Sequence, residues 1–85
     1  MHGVPDPAIT VEVRLGARLG PGRRSVRLPA GATVADLLAV LEPELGRAPG
    51  ELSGVAVALG GDVVGRDRVL VDGEALALIL PVAGG

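Results

Sequence analysis

The sequence predicts a small α+β domain, a mixed sheet of four or five strands with one main helix on one of its faces. Three observations lead there. Apolar residues recur with period two at Ile9, Val11, Val13 and Leu15 and alternate again over Ser25, Val26, Arg27 and Leu28, on either side of Gly20-Pro21-Gly22. That is the pattern of two strands joined in an antiparallel hairpin. The spacing then changes to i, i+3, i+4, i+7 at Val34, Leu37, Leu38 and Leu41, which gathers four apolar side chains on one helix face. A last run, residues 75–80, is apolar on both faces and suits a strand in the middle of a sheet. Hairpin, crossing helix and closing central strand make a two-layer domain.

Each element has its own punctuation. Gly3, Pro5 and Pro7 keep residues 1–8 out of regular structure, so these are expected to form a flexible N-terminal tail, with the domain over 9–80. Pro29 to Ala32 breaks the second strand. Thr33 is an N-cap, since its hydroxyl can accept an unpaired amide of the first turn, and Asp36 completes a capping-box pattern. Pro43 and Gly46 end the helix or confine it to a ragged last turn. Residues 47–54 read as a loop. Val55, Val57 and Leu59 alternate with alanines and predict a third strand, Gly60-Gly61-Asp62 a turn, and Val63-Val64 a short strand. The pattern over 65–72 is indistinct, and Asp72-Gly73 is a turn into the last strand. Pro81 then stops the pairing, and residues 81–85 are expected to form a flexible Gly-Gly tail.

Composition excludes several kinds of chemistry. The 85 residues contain no cysteine and no aromatic residue, so the core is built from Val, Leu, Ile and Ala, and thiolate nucleophiles, disulfides and cysteine metal sites are absent. The single histidine, His2, lies in the N-terminal tail, where a solvated side chain is the expectation, and no metal site is expected. Net charge is −2 without a basic stripe or stacking aromatics, which argues against nucleic acid. No apolar stretch approaches the roughly 20 residues of a membrane span. No signal peptide is visible, and a soluble cytoplasmic protein is expected. All eight basic residues are arginines.

Catalytic constellations are missing. The chain has neither a GxxxxGK[ST] nor a GxGxxG loop, and Ser25 and Ser53 have no activating base. Asp62, Asp67, Asp72 and Glu74 fall at turns, where carboxylates ordinarily serve as turn formers. What remains is the chain end. Without a Cβ, Gly84 and Gly85 can lie extended in a channel too narrow for other residues, and Pro81 stiffens the exit from the last strand.

The tail Leu80-Pro81-Val82-Ala83-Gly84-Gly85 resembles the Pro-Pro-Val-(Ala/Ser)-Gly-Gly ending of the small subunit of molybdopterin synthase, within the MoaD/ThiS-type ubiquitin-like sulfur carriers; the related thiazole-forming carriers also end in Gly-Gly, but usually without this Pro-Val-Ala approach. The stretch from Arg27 to Leu38 resembles that family's strand, loop and helix. Val13 to Leu19 is similar to its first strand, and Val69 to Glu74 to its turn into the last. Three positions depart from it: Gly16 where the family often has Phe, Leu80 for the first proline of the tail, and Ala58-Leu59-Gly60-Gly61 for a Val-Asn-Gly turn.

The resemblance implies a β-grasp fold and a carrier rather than an enzyme. It implies that a ubiquitin-activating-type adenylyltransferase uses ATP to adenylate the carboxylate of Gly85, that a sulfur donor displaces AMP to leave a thiocarboxylate, and that an acceptor synthase takes the sulfur. For molybdopterin biosynthesis that acceptor is the large subunit of the synthase. No cofactor is expected to bind the carrier itself. Carriers for thiazole, cysteine, thiolated tRNA or secondary metabolites are alternatives, as are a ubiquitin-like protein modifier and an interaction module with an inert tail. One helix covers one sheet face, so one side of the last strand should stay open to partners. By size Leu76, Leu78 and Leu80 belong to the core. Ala75, Ala77 and Ile79 are then expected to form the docking face, with Pro81, Val82 and Ala83 leading from it to Gly84 and Gly85.

Overall fold

A computed structural model describes residues 7–16 and 22–79. Its elements, in chain order, are β1 (Ala8–Arg14), β2 (Arg23–Pro29), α1 (Val34–Glu44), a 3-10 turn (Glu51–Gly54), β3 (Ala56–Leu59), β4 (Asp62–Val64) and β5 (Ala75–Ile79). The strands form one mixed sheet in the order β2-β1-β5-β3-β4. β1 and β5 run parallel at its centre, and the other neighbours pair antiparallel. The last strand is therefore central, as its two apolar faces predict.

The period-two pattern of the first hairpin is what aligns it. Ile9 pairs with Leu28 and Val11 with Val26, and all four point into the core. The strand begins at Ala8, one residue inside the expected tail, and Pro7 accepts the Ala30 amide at 3.1 Å. Gly20 and Pro21 of the connecting turn lie outside the described residues.

The helix is fixed at its N-terminus before its apolar face is counted. Thr33 Oγ1 accepts the Asp36 amide at 3.3 Å and the Asp36 carboxylate accepts the Thr33 amide at 2.9 Å, the reciprocal capping box. The amides of Val34 and Ala35 donate to the carbonyls of Arg68 and Arg66, both at 3.0 Å. The indistinct segment 65–72 thus supplies the acceptors that a helix start requires. It also bridges Thr33 through Val69 and buries Leu70. Val34, Leu37, Leu38 and Leu41 all face the sheet and are buried. Pro43 lies in the last turn, where its missing N–H forfeits one bond, and Gly46, with φ +71°, completes the exit.

One expected loop is more ordered than its sequence suggests. Within 47–54, Glu51–Gly54 winds into a 3-10 turn that seats Leu52 in the core, 1% exposed. The buried Glu42 carboxylate accepts the Leu52 amide at 3.0 Å, and the Arg66 guanidinium donates to the carbonyls of Ser53 and Val55 at 2.5 and 2.6 Å. Three long-range polar contacts hold this turn, and period analysis detects none of them. Beyond it, Gly60 (φ +62°) and Gly61 (φ +91°) form a two-residue hairpin turn. Leu59 pairs with Asp62 across it, so Asp62 opens β4 rather than closing the turn. The result is an aliphatic core on one side of the sheet and, on the other, a face that no other described element covers.

Candidate functional site

The alternation of β5 divides it between these two sides. Leu76 and Leu78 are 1% and 3% exposed and pack in the core, whereas Ala75 is exposed, Ala77 half-buried and Ile79 47% exposed. The three expected docking residues share the helix-free face. Leu80, Pro81, Val82, Ala83, Gly84 and Gly85 lie outside the described residues. The described part of β5 ends at Ile79, six positions before Gly85.

Register shows what surrounds them. Ala77 is opposite Ala58 of β3 and Arg14 of β1, Ile79 is opposite Ala56, and Ala75 is opposite Glu12. Ala58 in turn faces Val63 of β4, which is 68% exposed. Since alternate residues of paired strands share a face, Ala56, Ala58 and Val63 extend the strip laid down by Ala75, Ala77 and Ile79. On the other flank Arg14 is opposite Arg23, and Arg27 is opposite Thr10. A shallow groove runs between these flanks, lined by Arg14, Arg23, Ala58, Gly60, Ala75 and Ala77 among others. Sequence reading missed Ala56, Ala58, Val63 and the three arginines as parts of this face. Their alternation was visible, but only strand order says which strands are neighbours.

The entry to β5 is clamped. Asp72 Oδ1 accepts the Thr10 amide at 2.8 Å, the Gly73 amide donates to the Thr10 carbonyl at 2.9 Å, and the Glu12 amide donates to the Glu74 carbonyl at 2.9 Å. Glu74 takes two bonds from Arg68, at 3.0 and 3.1 Å, and one from the Val71 amide at 2.7 Å. The Arg68 bonds above all hold the Glu74 carboxyl below its ordinary value, against the opposing effect of its partial burial, and the Val71 amide adds to them. These two carboxylates therefore serve to position the strand. Among the described residues no group of three or more His, Cys, Asp or Glu side chains is arranged to hold a metal ion, and no helix is long and apolar enough to cross a membrane.

This geometry can present a flat, small-residue surface to another protein. It assembles no nucleophile, base or cofactor cradle among the described residues.

Comparison with known proteins agrees with that picture. The ThiS family model matches residues 14–85. The crystal structure of SAMP1 from Haloferax volcanii is 27% identical, with a TM-score of 0.70, covering 89% of this chain and 99% of that one. A putative molybdopterin converting factor, subunit 1, from Pyrococcus furiosus is 26% identical with a TM-score of 0.71, covering 87% and 99%. The protein–protein complex of subunits 1 and 2 of the molybdopterin-converting factor from Helicobacter pylori matches at 25% identity and a TM-score of 0.64, covering 91% and 100%. The comparison with curated proteins gave no match. With the sheet order, the helix that covers one of its faces and the matched span taken together, the chain belongs to the ThiS family, of the MoaD/ThiS type, and has its ubiquitin-like β-grasp fold.

Proposed function

We propose that the protein is a sulfur carrier whose working group is the carboxylate of Gly85, and that it serves molybdopterin biosynthesis. The observation that carries this reading is the extent of the family match, which runs through Gly84 and Gly85. The likeness to molybdopterin converting factor subunit 1 supports the pathway.

In the proposed chemistry a carboxylate oxygen of Gly85 attacks the α-phosphorus of ATP on an activating enzyme, and pyrophosphate leaves. The resulting acyl-AMP anhydride is electrophilic at carbon, which the free carboxylate is not. A sulfur donor at the sulfide oxidation level attacks that carbon and AMP leaves, so the C–O bond to AMP is exchanged for a C–S bond. The thiocarboxylate is an anionic sulfur nucleophile that an acceptor synthase consumes. Partner enzymes supply ATP binding and catalysis, and the carrier supplies the reactive end and the face by which it is held. Ala75, Ala77 and Ile79 form the centre of that face. Pro81, Val82 and Ala83 lead to a glycine pair slim enough for a narrow channel.

A second reading is favoured by the likeness to a small archaeal modifier protein, namely conjugation of Gly85 to target lysines. The chain contains no lysine, so no polymer can grow through its own side chains. The two readings separate by product, thiocarboxylate or isopeptide. The shared first step is tested by deleting Gly85 or adding one residue after it. Either change should abolish ATP-dependent adenylation and leave the melting temperature unchanged. Continued ATP consumption by the extended chain refutes the reading.

A further inference from the structure

One row of residues crosses the open face from edge to edge: Arg23, Arg14, Ala77, Ala58 and Val63, each opposite the next on the neighbouring strand. At about 4.8 Å between strands the row spans roughly 19 Å. Its halves differ in character. The β5-β3-β4 half is small and apolar, while the β1-β2 half carries Arg14, Arg23 and Arg27, all exposed.

Arg14 and Arg23 face each other directly on an antiparallel pair, an arrangement of like charges that destabilises a sheet. Arg23 is relieved by Glu12, at 3.2 Å. Among the described residues, Arg14 and Arg27 have no ion pair or side-chain hydrogen bond. The other four described arginines are all engaged: Arg24 with Glu44, Arg47 with Glu51, Arg68 with Glu74, and Arg66 with two carbonyls. The strand residues of the open face thus carry three arginines and one glutamate, a charge of +2 on a chain whose net charge is −2. Asp72, whose carboxylate bonds the Thr10 amide at the margin of this face, reduces that charge to +1, so the excess is carried by Arg14 and Arg27.

We propose that the activating adenylyltransferase, gripping this face, sets carboxylates against Arg14 and Arg27 beside an apolar surface that covers Ala77 and Ala58, and that this charge pairing steers and selects it. This inference rests on the carrier reading. It adds the chemistry of the partner's surface, and it explains why an arginine pair that costs the sheet stability stands at this position. Arg14 borders the groove directly beside the Arg23–Glu12 ion pair, so a carboxylate entering there meets Arg14. The absence of aromatic residues leaves no stacking platform for nucleic acid, which favours a protein as the source of the negative charge.

The test measures association of the full chain with the ubiquitin-activating-type adenylyltransferase of the same organism by stopped flow. Steered association gains about 10- to 1000-fold in rate, and the gain vanishes as salt shortens the screening length from about 10 Å at 0.1 M to about 3 Å at 1 M. The double variant Arg14→Glu/Arg27→Glu is expected to associate at least about 10-fold more slowly at 0.1 M salt and nearly as fast as wild type at 1 M. It should melt no lower than wild type, because the substitution at position 14 replaces a repulsion with an attraction. Arg24→Glu on the helix side, a smaller change in net charge, should leave the rate near that of wild type. An unchanged rate for the double variant, or equal slowing by Arg24→Glu, overturns the proposal while the carrier reading stands. Displacement of the enzyme by duplex DNA from wild type but not from the double variant assigns the arginines to nucleic acid and also overturns it. If wild type is not adenylated at all, the carrier reading falls and takes this inference with it.

Discussion

Replacing Leu76 with alanine removes three carbons from a side chain that is 1% exposed beneath the sheet. At about 0.8 kcal/mol per buried methylene the lost transfer free energy alone is about 2.4 kcal/mol. The cavity raises the cost toward the range of about 2–5 kcal/mol seen for buried leucines. No aromatic ring is available to swing into the gap, since the core is wholly aliphatic. An 85-residue domain has roughly 4–13 kcal/mol in total. A loss of about 3 kcal/mol then lowers the melting temperature by roughly 12–24 °C. Ile79→Ala, on the same strand but pointing the other way, should cost less than about 1 kcal/mol because the side chain is already 47% exposed. Thermal melts of both variants, followed by far-ultraviolet circular dichroism, make the comparison. Equal losses, or a greater loss at Ile79, would refute the division of β5 into a core side and an open side.

Two further predictions follow from the same geometry. Ala77→Glu places a carboxylate at the centre of the apolar strip. It should weaken partner binding or adenylation with little change in melting temperature, and either unfolding or wild-type binding would locate the interface elsewhere. The Glu74 carboxyl is held below its ordinary value of 4.5, so its stabilisation is complete above the ordinary range and is lost as pH falls through the depressed folded value. Glu74→Gln should therefore lower the melting temperature at pH 7 and shrink its further drop on acidification to pH 3. Parallel acid limbs for variant and wild type would show that the Arg68 pair does not contribute.

The sequence was most legible where burial imposes a period. The alternation of Ile9, Val11 and Val13, the helical spacing of Val34 to Leu41, and the opposed faces of Leu76 and Ala77 all follow from one side being wet and the other dry. Thr33 and Asp36 were legible because a capping box lies within four residues. The 3-10 turn around Leu52 was not, because Glu42 and Arg66 reach it from 10 and 13 positions away. Segment 65–72 was indistinct for the same reason, since its order comes from the helix start that it caps. The open face was half legible. Ala75, Ala77 and Ile79 could be placed by the size of their neighbours, but Ala58 and Val63 join them only through the antiparallel pairing of β3 with β5 and β4. Arg14 joins them only through the parallel pairing of β1 with β5, which brings together residues some sixty positions apart in the chain.

The central claim is that Gly85 carries sulfur, and intact-mass spectrometry of the full chain tests it most directly. The chain is incubated with its adenylyltransferase, ATP and a sulfide donor, and the C-terminal peptide is then sequenced by fragmentation. The account predicts a mass increase equal to the exchange of one oxygen for sulfur, confined to Gly85, dependent on ATP and absent from a chain extended by one residue. An unchanged mass in the presence of active enzyme, or sulfur found anywhere other than at Gly85, would contradict it.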